Sequence, residues 1–228
     1  MSKKKEKKVT LAKELDHMQN ALSRSEAFVE RNKKTLSIIL LIIVILVLIG
    51  LFVKTRFSAR NDEAKNAIFR AEQYFQKDSF QLALNGDGEN LGFLDVAQKY
   101  KWTKTADLAK AYAGVCYKNL GESNKAISYL KEFDASDISL TPALKGAIGD
   151  CYLDMGETDK AISFYEKAAD ADTEVIAAYY TWWLGLAYYS AKNYDKAVTT
   201  FEELKTKYPN SQQAMEIDKY IELARAAK

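Results

Sequence analysis

The stretch Tyr152–Ala168, YLDMGETDKAISFYEKA, decides the fold, because the chain writes it three times. Tyr117–Phe133 reads YKNLGESNKAISYLKEF and Tyr188–Leu204 reads YYSAKNYDKAVTTFEEL. Each copy runs from an aromatic residue through a turn to a Lys-Ala pair, then to an apolar residue and an aromatic or Leu. Ala126, Ala161 and Ala197 carry the pair at offsets of 35 and 36 residues. A period of that size, with two helical stretches per unit, predicts stacked helical hairpins rather than a closed catalytic globule. One hairpin cannot bury its own apolar face, so the units stack, and stacking builds an extended surface suited to binding.

Upstream, residues 36–53 read LSIILLIIVILVLIGLFV, from Leu36 through Ile43 to Val53, with no charged residue. As a helix they rise about 27 Å, close to the thickness of a bilayer's hydrocarbon core. Repeat hairpins have no core able to surround such a run, so the sequence predicts a transmembrane helix. The run exceeds a signal-peptide h-region and no small-x-small cleavage pattern follows it, so it reads as a retained signal anchor. Residues 1–35 carry ten Lys/Arg against five Asp/Glu, whereas residues 54–228 carry 23 basic and 26 acidic side chains. A mildly acidic repeat domain has no electrostatic reason to bind nucleic acid. Charges within about twenty residues of the span do not decide its orientation, but long domains translocate largely regardless of charge. The basic start KKKEKK favours a cytoplasmic tail with the repeats outside.

In the tail, Leu11, Leu15, Met18, Leu22, Ser25 and Val29 form the stripe of an amphipathic helix. It is either a docking helix for a membrane partner or a helix resting on lipid headgroups. Ser23–Glu26 has capping-box spacing, so a fresh helix is expected there. Residues 54–81 lack Gly and Pro, which predicts a helix continuing from the span into the first repeat unit. Ala83–Gly92, ALNGDGENLG, reads as a turn, and Gly92–Tyr100 as a second helix. Its Asn/Asp/Gly loop lacks the acidic series and distal Glu of a calcium site. Trp102 is expected to pack between units.

The positions inside each unit carry a resemblance. Ala113-Gly114, Tyr117, Gly121, Ala126 and Leu130 recur as Ile148-Gly149, Tyr152, Gly156, Ala161 and Tyr165, then as Leu184-Gly185, Tyr188, Ala197, Phe201 and Pro209. This resembles the tetratricopeptide repeat pattern, although the leading Trp position reads Lys110, Lys145 and Thr181. It implies an all-α fold: the N-terminal transmembrane helix, then a hairpin array spanning 54–228. That array divides into a divergent first unit at 60–104, repeats at 105–140, 141–175 and 176–210, and a capping helix at 211–228. The whole layout resembles the YfgM-like proteins of bacterial inner membranes. That resemblance implies a single-pass inner-membrane protein with a periplasmic repeat domain, partnered by Sec translocon subunits and a PpiD-type periplasmic chaperone in protein export. Two other readings stay open: an anchored receptor whose repeats face the cytosol, and a self-assembling envelope scaffold.

Within the repeats, Tyr179, Trp182, Leu186 and Tyr189 fall on one face of a helix. The first helix of each unit lines the concave side of such arrays, so this stripe either opens onto the groove or is covered by the C-terminal helix. The equivalent positions earlier in the chain include Leu108, Val115 and Asp150. Tyr and Trp dominate binding hot spots, which makes these seven residues the candidate protein-binding set. Cys116 and Cys151 hold equivalent positions on neighbouring helices about 8–10 Å apart, beyond disulfide reach, so both are expected as free thiols. An enzymatic reading has little to stand on. The single His, His17, lies in the tail, and there is no Gly-x-Ser-x-Gly or phosphate-cradling Gly loop. No catalytic residue, cofactor, metal ligand or small-molecule substrate is assigned.

Overall fold

The computed structural model describes residues 2–133 and 140–228, with side chains from residue 30 onward. The junction between the units at 105–140 and 141–175, and the side chains of the amphipathic stripe, lie outside the described residues. The chain divides into two compact units, residues 1–58 and 59–228. All regular structure among the described residues is helical.

Helix α1, Ser2–Phe75, contributes to both units. No new helix begins at Ser23, because the backbone there is already helical and a capping residue has no free N–H groups to satisfy. In the first unit every large apolar side chain from Ile38 to Val53 is at least 44% exposed. The helix contains a segment long and apolar enough to cross a membrane, and none of that window is buried. A soluble core helix is buried, and this one is not.

The second unit begins with the end of α1, whose Ala64, Ile68 and Ala71 are buried. The turn at Asp78, with φ 54°, ends this stretch. Helix α2, Phe80–Asn85, then occupies ground where the sequence predicted the start of a turn. Its Ala83 and Leu84 are almost fully buried, so tertiary burial overrides the turn-forming residues that follow, and the loop begins only at Gly86. Helix α3 follows at Phe93–Lys99, and its Phe93 ring stacks on Tyr112 at 4.8 Å.

Three hairpins follow: α4 (Lys104–Asn119) with α5 (Ser123–Lys131), α6 (Thr141–Asp154) with α7 (Thr158–Ala169), and α8 (Glu174–Ser190) with α9 (Tyr194–Lys207). The repeated residues explain themselves here. Ala126, Ala161 and Ala197 are each 0% exposed, letting the second helix close against the first. The Lys before each Ala lies over the repeat tyrosine: Lys125 over Tyr117 and Lys160 over Tyr152 at 5.2 Å, Lys196 over Tyr188 at 5.1 Å. The two halves of each quoted motif therefore form one contact. Tyr117 and Tyr188 are buried and Tyr152 is half-buried, wedged between helices.

The turns between paired helices share a Schellman geometry. Glu122 N–H donates to Tyr117 O at 2.9 Å, Glu157 to Tyr152 O at 2.8 Å, and Asn193 to Tyr188 O at 2.9 Å. Each turn needs one left-handed residue. Gly121 and Gly156 supply it at φ 77° and 75°, and Lys192 at φ 59°. After α9, Pro209 blocks further helix. A 3-10 turn over Gln212–Glu216 precedes α10, Ile217–Ala226, so the expected 211–228 helix is shorter than its span. Ile217, Ile221 and Ala224 close the end of the array beneath it.

Candidate protein-interaction surface

The first helices of the three hairpins, α4, α6 and α8, are spatial neighbours along the array. Their shared surface has a charged centre. Lys118 on α4 meets Asp150 on α6, Nζ to Oδ2 at 2.6 Å, with both side chains part-exposed. The other Asp150 oxygen accepts a hydrogen bond from the Tyr165 hydroxyl of α7 at 2.8 Å. Asp150 thus ties three helices together while still facing solvent. Burial disfavours the Lys118 ammonium, but the hydrogen bond and charge of Asp150 outweigh it and hold the pKa up. Burial raises the Tyr165 phenol, and the adjacent Asp150 charge adds to the effect, so it stays a neutral donor.

An aromatic cluster adjoins this pair. Tyr165 lies roughly parallel to Tyr180 and to Trp183, with centroids 6.3 Å away in both cases. Tyr179 meets Tyr180 edge-on at 5.0 Å. Tyr180 crosses to α6, where its hydroxyl donates to Ala143 O at 3.1 Å. Gly146 makes that crossing possible, because a Cβ there would run into the Tyr180 ring. Among the described residues the Trp183 indole N–H is buried and has no acceptor.

The structure divides the sequence-derived stripe. Tyr179 is 40% exposed beside the charged pair. Trp182 is half-buried, and the Tyr220 ring of α10 meets it edge-on at 5.8 Å. Leu186 and Tyr189 are half-buried against the core beneath α10, and Tyr189 also meets Tyr194 at 5.4 Å. Within the stripe, α10 meets Trp182 through Tyr220, while Tyr179 is left exposed. Leu108 and Val115 are half-buried on α4. The sequence reading passed over Tyr180, Trp183 and Tyr165 as surface-shaping residues. The available signal was Gly146: a glycine inside a helix, where propensity disfavours it, marks a close approach by another side chain.

Two other expectations have clear outcomes. Cys116 and Cys151 are free thiols, each 0% exposed. Burial pushes them up to about 12 and about 11, far from a reactive thiolate at neutral pH. Trp102 does not pack between units. It is 84% exposed, at a left-handed φ of 73°.

Comparison with known proteins agrees with this architecture. Residues 147–212 match the tetratricopeptide repeat family. A crystal structure of MamA protein superposes with a TM-score of 0.57 at 20% identity, covering 75% of this chain and 83% of that one. At that identity the likeness concerns the fold alone. Among curated proteins no sequence matches significantly. The chain therefore carries an all-α array of tetratricopeptide-type hairpins, preceded by one long apolar helix.

Proposed function

We propose that the chain is a non-catalytic protein-interaction subunit of the bacterial inner membrane, anchored by residues 36–53. Its basic tail, residues 1–35, lies in the cytoplasm and its repeats lie in the periplasm. There it serves protein export beside the Sec translocon, with a periplasmic chaperone of the PpiD type as partner. One observation carries this reading: an unburied apolar run and a helical-hairpin array occupy the same chain. The first has no use in water, and the second is an architecture of protein recognition.

The partner meets the surface around Tyr179, Leu108, Val115 and Asp150, where an exposed aromatic adjoins a part-exposed ion pair. Trp182, against Tyr220 of α10, and Leu186 and Tyr189, half-buried against the core, take a smaller share. Purification of the full chain in mild detergent, with identification of what accompanies it, tests the assignment. Recovery of translocon components, weakened by Tyr179→Ala, is the expected result. A chain that emerges without them contradicts the proposal.

A further inference from the structure

Trp102 is the most exposed large apolar side chain among the described residues. Its backbone sits in the left-handed region, which costs a non-glycine residue about 1–2 kcal/mol. The turn that holds it is well fixed. Thr103 donates its hydroxyl to Tyr100 O at 2.8 Å and accepts from the Ala106 N–H, capping α4. Among the described residues, no packing contact buries the indole.

The position of this turn within the second unit is set by contacts with α1. Arg60 Nη2 donates to Lys99 O at 2.7 Å, just before the turn. Asn61 Oδ1 accepts from Thr105 N and Oγ1 at 3.0 and 3.1 Å, just after it. Fifteen residues further along α1, Phe75 meets Phe93 and Tyr112, while Tyr74 donates to Asp87. So α3 runs antiparallel to this part of α1, α4 runs parallel to it, and the Trp102 turn lies at the Arg60 end. Val53, the last residue of the apolar run, is seven positions before Arg60. Seven residues of helix reach about 10 Å, and even fully extended about 25 Å.

Charge points the same way. Residues 96–104 contain Lys99, Lys101 and Lys104 and no acid, and Arg60 adds a fourth cation. Of the nearby carboxylates, Asp62 and Asp107 are held by Lys65 and Lys110, each at 3.1 Å, and Glu63 and Asp95 are the remaining acids close in sequence. A bilayer's interfacial layer favours this combination of an exposed indole with flanking lysines, since Trp settles at headgroup level and cations meet lipid phosphate.

We propose that the Lys101–Lys104 turn is a second membrane contact, with Trp102 seated at the headgroup–acyl boundary of the bilayer that residues 36–53 cross. This rests on the anchoring reading above. It gives the chain a second point of attachment to the bilayer besides the apolar helix.

The test uses full-length protein in vesicles of phosphatidylglycerol mixed with phosphatidylcholine brominated on its acyl chains. Flotation of the vesicles first reports anchoring by itself. Bromine quenches nearby indoles, and Trp182 and Trp183 of α8 give a background common to wild type and Trp102→Phe. The expected result is a loss of roughly a third of the emission in wild type, for one of three tryptophans, and little loss in Trp102→Phe. Bromines placed near the headgroups should quench more than bromines near the chain ends. Protein that floats but shows equal quenching in wild type and variant overturns this proposal and leaves the anchor standing. Protein that does not float overturns both.

Discussion

Single residues set how closely the hairpins approach, and three of them give measurable consequences. Lys192 holds the left-handed turn position that Gly121 and Gly156 hold in the other two hairpins. A side chain there costs about 1–2 kcal/mol, part of which glycine's greater unfolded-state freedom offsets. Lys192→Gly should therefore stabilise the protein by about 0.5–1 kcal/mol, read as a higher midpoint in urea. Gly146 is the opposite case. Alanine would gain about 1 kcal/mol of helix propensity, but its Cβ would strike a Tyr180 ring held by Tyr165 and by Ala143 O. Overpacking of that kind costs about 1–3 kcal/mol, so Gly146→Ala should lower the thermal midpoint. Tyr188 gives a pH dependence. Burial, with the hydrogen bond its hydroxyl donates to Glu166 at 2.7 Å, pushes its pKa up to about 12 from an ordinary value near 10. A raised phenol stabilises the fold fully below about pH 10, and that contribution disappears as pH climbs through about 12. Stability measured across this window should fall, and Tyr188→Phe should fall less.

At the scale of elements, α10 is the test of how the array ends. Its inner face, Ile217, Ile221 and Ala224, closes the core over α9, while Arg225–Glu202 at 2.6 Å and Lys205–Asp218 at 2.6 Å hold its exposed edge. Those surface ion pairs contribute little, and the apolar face decides the matter. Ile221→Ala should cost about 2–5 kcal/mol. It should also move the Trp182 emission to the red as Tyr220 loosens, and an unchanged spectrum would argue that α10 does not cover Trp182. The paired helices were legible in the sequence because Tyr, Ala and the Lys-Ala contact repeat in phase. Helix α2 was not. Phe80–Asn85 is six residues long, has no period to read, and runs straight into a Gly-rich loop, so only the burial of Ala83 and Leu84 reveals it. Trp102 was misread for a related reason. Aromatic residues between repeats usually pack, and a positive φ at a non-glycine residue leaves no mark in sequence. The division of the Tyr179–Tyr189 stripe was only half legible, since helical spacing gives a face but not what another helix lays across it.

At the scale of the whole molecule, one chain carries a long apolar helix and an array of hairpins. Residues 36–53 suit hydrocarbon, and the hairpins from 59 onward suit water and a protein partner. The apolar helix was legible in composition, because eighteen uncharged residues in a row stand out from the charged repeats, and the structure leaves them unburied. Orientation rests on less, since basic residues flank the span on both sides and only the basic start KKKEKK and the length of the following domain favour repeats on the far side. Protease added to intact spheroplasts carrying the full chain tests this most directly. Digestion of the repeats, with residues 1–35 protected until the cells are lysed, is the predicted result. Repeats that survive until lysis would contradict it.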